Sequence, residues 1–203
     1  MPAVGAETER RPPGRPRSEK SQRAILAAAA ELLHERPLSE ISMDAVADRA
    51  GASKATIYRW WPSKELLALD AIFSDWDTAM PVAVDTGTLS GDLRALTLPW
   101  VKRLEGAPFG RVIAALIVEV HRDGTFRDAW HTRFTEPRRA PGRAAFERAI
   151  GRGEIPGDTD IAFALDLLYG PIYHRMLHLH ALIDERFVTG VVDAVVAAVH
   201  VAP

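Results

Sequence analysis

The sequence predicts an all-α protein of about nine helices, a small basic N-terminal unit followed by a larger helical one. Three observations lead there. Apolar residues recur every three or four positions along most of the chain, with no sustained period-two alternation of the kind a half-buried strand shows. Ser, Gly and Pro punctuate that pattern at intervals suited to short helices. The last two segments carry nearly heptad-spaced apolar stripes. With 203 residues, 47% of them hydrophobic, the chain can bury a core, and no apolar run approaches the ~20 residues that span a bilayer. Cysteine is absent, which excludes a disulfide scaffold and thiolate chemistry and fits a cytoplasmic setting.

Residues 1–17, "MPAVGAETERRPPGRPR", combine Pro, Gly and charge with little to bury, and are expected to form a disordered basic arm. Order is expected from Ser18, where Ile25, Ala29, Leu32 and Leu33 recur at helical spacing until Pro37. Ser42 is the N-cap of a second helix with Met43, Val46, Ala47 and Ala50 on one face and Gly51 as its stop. A third helix runs from Ser53 to the residue before Pro62. A fourth, capped by Ser63, passes through Leu66, Leu69, Phe73 and Trp76 toward Pro81. Residues 18–80 thus form one domain. Residues 85–203 form a second, with helices near 90–105, 108–122, 125–150 (interrupted near Pro137 and Pro141), 158–181 and 184–200. The stripes Ile161, Leu165, Leu168, Ile172, Met176, Leu179 and Val188, Val191, Val192, Val195, Val199 ask for a partner helix, and a homodimer through residues 158–200 is expected.

Charge divides along the same boundary. Residues 1–64 hold eleven Lys and Arg against eight Asp and Glu, the remainder fourteen against nineteen, so a polyanion partner is expected for the N-terminal part only. The run Tyr58, Arg59, Trp60, Trp61 sharpens this. At 3.6 residues per turn Ile57 and Trp61 share a core face, while Ala55 and Arg59 point away from it, flanked by Thr56 and Tyr58. A slim N-terminal half, an arginine able to pair with guanine O6 and N7, and hydroxyls for phosphates suit a helix that enters the major groove of double-stranded DNA. The segment "RAGAS" before it has the length of a helix-turn-helix turn. Ser42 and Ser63 mark helix N-termini that can each receive a phosphate, the second with Lys64 beside it. An ordinary amphipathic helix with a solvated Arg59 is the alternative, and the framework of Ser42, Gly51, Ser53, Tyr58 and Lys64 weighs against it.

The stretch "ISMDAVADRAGASKATIYRWWPSKELL" resembles the N-terminal helix-turn-helix of TetR-family transcriptional regulators, matching at Gly51, Ser53, Thr56, Ile57, Tyr58, Trp61 and Lys64 over roughly residues 18–75. The resemblance implies phosphate contacts from Ser42, Tyr58 and Lys64 and groove contacts from Lys54, Ala55, Thr56 and Arg59. Trp60 departs from the His or Tyr often found at its place, and its indole N–H can either reach a phosphate or pack at the domain edge. The arm's "PGRPR", with Arg15 and Arg17, is similar to an AT-hook, an extended Arg-Pro segment in a narrow minor groove; a merely solubilising tail is the alternative.

"FERAIGRGEI" and "DLLYGPIYHRML" resemble, more weakly, the effector and dimer domain of that family. This implies a ligand-responsive repressor, dimeric on a palindromic operator, with a small-molecule effector. Trp100, Leu104, Ile113, Leu116, Ile117, Phe134, Tyr173 and Met176 lie on expected helices that can enclose an apolar pocket, so the effector is expected to be apolar. His174, His178 and His180 give an HxxxHxH series, but without a nearby Cys or suitably spaced carboxylate they read better as surface or interface residues than as a metal site. No cofactor and no membrane partner are expected. The competing readings are an architectural DNA-binding protein without a ligand and a metal-dependent enzyme using the histidine series.

Overall fold

The structure is a computed structural model and describes residues 15–74, 84–104 and 109–200. Its elements are α1 (Arg15–Glu35), a 3-10 turn (Leu38–Glu40), α2 (Met43–Ala50), α3 (Lys54–Trp60), α4 (Lys64–Ser74), α5 (Leu89–Leu104), α6 (Phe109–Arg122), α7 (Gly124–Trp130), a π-turn (His131–Thr135), α8 (Glu136–Gly151), α9 (Ile161–His178) and α10 (Glu185–Val199). Because α7, the π-turn and α8 follow one another without a gap, counting them once gives the expected nine among the described residues. No described helix is long and apolar enough to cross a membrane.

In the N-terminal unit α1 packs across α2 and α4, and α2 meets α3. Ile25, Leu32, Val46, Ile57, Trp61, Leu67 and Leu69 fill the space between them. Arg49 of α2 holds Glu35 of α1 through two nitrogens, at 2.5 and 3.0 Å, which fixes the crossing of these helices. The C-terminal unit surrounds α5, which packs on α8 and α10, while α9 lies against α6, α8 and α10. The units meet where α4 touches α6 and α7.

Three expectations change, and a further one runs outside the described residues. Helix α1 opens at Arg15, not Ser18, so Arg15 and Arg17 lie in a helical first turn, where Pro16 is tolerated because its missing N–H would have had no partner; their side chains, and residues 1–14, lie outside what is described. The fourth helix is described only to Ser74, which leaves Trp76 and Pro81 outside. The long segment does not break at Pro137 or Pro141. Its α-helical bonding instead widens at 131–135, with the Glu136 N–H reaching the His131 carbonyl, and Pro137 then occupies the first turn of α8, where it costs no hydrogen bond.

The third change concerns the two C-terminal stripes. Leu165, Leu168, Ile172 and Met176, with Val188, Val191, Val192 and Val195, are buried against this chain's own core, so they do not wait for a partner. Leu179 leaves α9 altogether, adopting a left-handed conformation (φ 52°) with 83% exposure. The outward faces are different residues. Leu167, Pro171, Gly190, Ala194 and Ala198 line a cavity of about 690 Å³ between α9 and α10, with Arg175, Asp184 and Arg186 among its polar lining. Phe163, 60% exposed, stands on the same face of α9 one turn before Leu167.

Candidate nucleic-acid interface

Short-range chemistry builds the α2–α3 unit. The Ser42 hydroxyl accepts the Ala45 N–H at 3.1 Å, and that of Ser53 accepts the Thr56 N–H at 3.2 Å. Between them Gly51 sits at φ 60°, its N–H reaching the Asp48 carbonyl, while the Ala52 N–H reaches Ala47 at 3.0 Å. This is the Schellman closure, and it turns the chain sharply enough to start α3 at once.

On α3 the structure separates the faces as the wheel does. Ile57 and Trp61 are buried; Lys54, Ala55, Tyr58, Arg59 and Trp60 are exposed, and Thr56 is half-buried. The hydroxyls of Ser53 and Thr56 are 2.8 Å apart, so Thr56 is partly committed to the cap. Lys54 pairs with Asp44 of α2, whose hydrogen bond holds the ammonium above the usual lysine range. Trp60 does not pack into the domain edge. It is 40% exposed, and the Arg59 guanidinium lies 5.4 Å from its ring centre, which limits where Arg59 can reach.

Lys64 is already partly engaged within its own domain. Its ammonium donates to the carbonyls of Leu38 at 3.1 Å and Ile41 at 3.5 Å, tying α4 to the turn that precedes Ser42. A lysine has three protons, so one is left for a phosphate. Ser63 caps α4 by accepting the Leu66 N–H at 3.2 Å.

Sequence reasoning missed what holds the far end of α3. Trp61, the C-cap, donates its indole N–H to Asp70 of α4 at 2.8 Å. Both carboxylate oxygens of Asp70 also accept from Arg133 on the π-turn, at 2.9 and 2.8 Å. One carboxylate therefore joins the end of α3 to the C-terminal unit. Phe134, next to Arg133, packs on Trp130 at 4.3 Å and on Phe73 of α4 at 5.2 Å between ring centres. A helix-surface pattern around residues 66–73 marks Asp70 only as a solvated acid, because its partners lie 9 and 63 positions away.

The expected effector residues occupy the middle of the C-terminal unit. Trp100, Ile113, Leu116, Phe134 and Met176 are buried, Ile117 and Tyr173 are partly so, and the side chain of Leu104 lies outside what is described. They pack as core, and the 690 Å³ cavity lies elsewhere, between α9 and α10. Sequence reasoning missed Arg138, which is buried among them. The rings of His174, His178 and His180 lie 4.6, 5.0 and 6.4 Å apart, yet no described group of three His, Asp or Glu is disposed to hold a metal ion.

Two family descriptions match the chain. Residues 25–71 match the bacterial regulatory proteins of the tetR family, and residues 83–195 match the tetracyclin repressor-like C-terminal domain. The chain is 35% identical over 179 residues to the uncharacterized HTH-type transcriptional regulator YdeS of Bacillus subtilis, covering 88% of this chain and 89% of that protein. To the DNA-binding transcriptional repressor TetR of Mycobacteroides abscessus it is 36% identical over 182 residues, 88% of this chain and 93% of the other. The crystal structure of TetR family transcription regulator SCO0332 superposes with a TM-score of 0.76 at 31% identity, over 91% of this chain and all of that one. FadR from Bacillus subtilis, solved in complex with stearoyl-CoA, shares the fold at 16% identity, with a TM-score of 0.67 over 88% of this chain and 99% of FadR.

Proposed function

The chain belongs to the TetR family of transcriptional regulators, a helix-turn-helix family and not an enzyme family, and from that premise we propose that it is a ligand-responsive repressor acting as a homodimer on a palindromic operator. The observation that carries the reading is the split face of α3. Buried Ile57 and Trp61 anchor the helix, while Ala55, Tyr58 and Arg59 stand exposed on the opposite side. Arg59, with Lys54 and Thr56, reads base edges in the major groove; Ser42, Ser53, Tyr58, Trp60 and the remaining proton of Lys64 meet phosphates.

One such helix makes too few contacts to select a site. Two, held about 34–36 Å apart, read successive major grooves on one side of the duplex. The second copy covers the outward face of α9 and α10, where Phe163, Leu167, Ala194 and Ala198 leave an apolar surface that the described residues do not fill. Basic residues at the start of α1 and before it add affinity on A·T-rich flanks without setting the core bases.

The effector binds within the C-terminal unit, near Trp100, Ile113, Leu116, Phe134, Tyr173 and Met176, and the FadR complex supports a ligand in a domain of this fold. Coupling runs from the π-turn to α3 through Arg133, Asp70 and Trp61. A rearranged π-turn moves Arg133, Arg133 moves Asp70, and Asp70 holds Trp61 at the end of α3. A coupling of ~1–3 kcal/mol is enough to shift operator occupancy several-fold, and it acts on both ligands reciprocally. The protein works where the chromosome is, in the cytoplasm.

Selection of random DNA by the full chain, with and without a small-molecule library, tests the reading. A two-fold consensus released by at least one compound is the expected result. Weak, asymmetric preference with no compound response would instead indicate an architectural protein.

A further inference from the structure

A helix that helps to meet a polyanion is expected to show it cations, and α2 does the opposite. Its only basic residue, Arg49, is turned back onto α1, where it holds Glu35 at 2.5 and 3.0 Å. Its exposed side bears Asp44 and Asp48, one turn apart. Asp44 reaches across to α3 and pairs with the Lys54 ammonium at 2.5 Å, and Asp48 adds to the negative field on the same group. The backbone beneath Asp44 is fixed, because this residue lies in the first turn of α2, two positions after Ser42, whose cap bond at 3.1 Å sets that turn. Lys54 opens α3, next to Ala55 and one turn before Tyr58. The pair therefore stands between the Ser42 end of α2 and the exposed face of α3, the two places through which this unit meets DNA in the reading above.

An acid in the first turn of a helix favours that helix, and an exposed ion pair ties α2 to α3, but both effects are small. Against them stands repulsion from every phosphate that approaches this end of α2, in all sequences alike. A carboxylate there weakens binding unless DNA offers it a donor. Phosphate oxygens only accept. The donors in the major groove are the exocyclic amines, cytosine N4 and adenine N6, and cytosine is the one that faces, across its own pair, a purine with two neighbouring acceptors, guanine O6 and N7. A carboxylate beside an ammonium with three protons matches that edge group for group.

We infer that Asp44 is a specificity-determining residue: with Lys54 it reads one C·G pair per half-site, Asp44 accepting from cytosine N4 and Lys54 donating to O6 or N7 of the paired guanine. This assignment rests on the reading above that α3 enters the major groove, and it adds a residue of α2 and a base identity. The two side chains are 50% (Lys54) and 64% (Asp44) exposed, so water already shares their ion pair and little is lost when a base pair comes up against them. Together they are electrically neutral, so they add preference without adding general attraction to phosphates. On the wrong pair the carboxylate is left against thymine O4 or guanine O6, neither of which can donate, and that mismatch enforces the choice.

The test is selection of random duplex DNA by the full chain, read position by position, for the parent and for Asp44→Ala, Asp44→Asn, Asp44→Glu, Lys54→Ala and Arg59→Ala, followed by titration of the parent consensus, its single-position changes and a scrambled duplex. The parent is expected to favour C·G by about 5- to 30-fold at one position of each half-site, distinct from the position that Arg59→Ala flattens, and Asp44→Ala to bring that ratio near one. On the scrambled duplex Asp44→Ala should bind no more weakly than the parent. Asp44→Asn, which donates as well as accepts, should move the preference toward adenine. Asp44→Glu keeps the charge at the helix start but displaces the carboxylate by a methylene, so it should reduce the preference, which an acid serving the fold alone would leave unchanged. Every Asp44 variant is expected to melt close to the parent, since the side chain is exposed and its pair is weak. A parent consensus without such a C·G position, or an Asp44→Ala consensus identical to the parent's, overturns the inference. So does a gain in affinity that is equal on all duplexes, which would show Asp44 acting through its charge alone. If Lys54→Ala and Arg59→Ala alter the consensus and the Asp44 variants do not, this inference fails and the placement of α3 in the groove stands. If none of the variants alters any position, that placement falls as well.

Discussion

Replacing Asp70 with alanine removes one side chain and disturbs two partners unequally, and the inequality can be measured. The Trp61 indole N–H is 2.8 Å from the Asp70 carboxylate, and the Trp61 side chain is almost wholly buried, at 1% exposure. Without Asp70 that donor loses an ionised acceptor where water reaches it poorly, a loss of roughly 1–3 kcal/mol. Arg133 is different. Its side chain is 48% exposed and regains water when Asp70 goes, so its share is about 0–1 kcal/mol after solvent screening. Trp61→Phe removes the N–H together with part of the indole and leaves a void of its own, at roughly 1–3 kcal/mol. In that background Asp70→Ala orphans no donor. Asp70→Ala should therefore cost about 1–2 kcal/mol less in Trp61→Phe than in the parent, while in the parent Arg133→Ala should cost less than Asp70→Ala. Urea unfolding of the four combinations, followed by far-UV dichroism so that the lost tryptophan does not alter the signal, gives the cycle. Additivity within about 0.3 kcal/mol, or an Arg133 effect larger than that of Asp70, refutes the assignment of Asp70 as the anchor of the α3 C-terminus. If the cycle holds, Arg133→Ala should also reduce the response of operator binding to whatever ligand the selection identifies.

Further outcomes follow from the same geometry. Gly51→Ala should cost about 1–2 kcal/mol, from the left-handed backbone alone, because an added Cβ meets nothing within 4 Å; Gly51→Asn should recover much of that in thermal unfolding, and an equal loss for both would point to a steric cause. Leu167→Glu or Phe163→Glu should yield a folded monomer in sedimentation, whereas Leu168→Glu, at a position with 0% exposure, should unfold the chain; a dimer that survives both surface changes places the interface elsewhere. Arg59→Ala should flatten preference at one base position per half-site, worth ~1–3 kcal/mol, while Lys64→Ala should weaken all sequences alike and also lower the melting temperature, since it frees the Leu38 and Ile41 carbonyls. Burial alone would push the pKa of Asp92 up, but the Thr86 N–H and hydroxyl and the Arg148 guanidinium hold it below the usual range. The stability this carboxylate provides is complete above its unfolded pKa of about 3.9 and disappears as pH falls through the lower folded value, so Asp92→Asn should lose stability at neutral pH and show a shallower acid limb; acid limbs that run parallel would contradict it.

What the sequence by itself determined is what depends on neighbours a few residues apart. Ser42 and Ser53 cap their helices and Gly51 takes the left-handed turn because the partners are three to five positions away and the geometry is local. The same locality made the two faces of α3 legible, since a wheel needs only the helical repeat. The tertiary structure decided everything that required knowing which surface meets which. Helices α9 and α10 each carry an inward and an outward apolar set, and spacing cannot tell Leu168 from Leu167; only packing on α5, α6 and α8 shows that the first belongs to this chain's core. A phosphate role for Lys64 can be proposed from the sequence, but its second task, holding the Leu38 and Ile41 carbonyls 26 and 23 residues away, appears only in the fold. Asp70 and Arg138 look like solvated charges on helix surfaces, as most charged residues are. Asp70 becomes a junction and Arg138 a buried cation because α4, the π-turn, α5 and α9 converge on them, and that convergence is set by the summed packing of the whole chain.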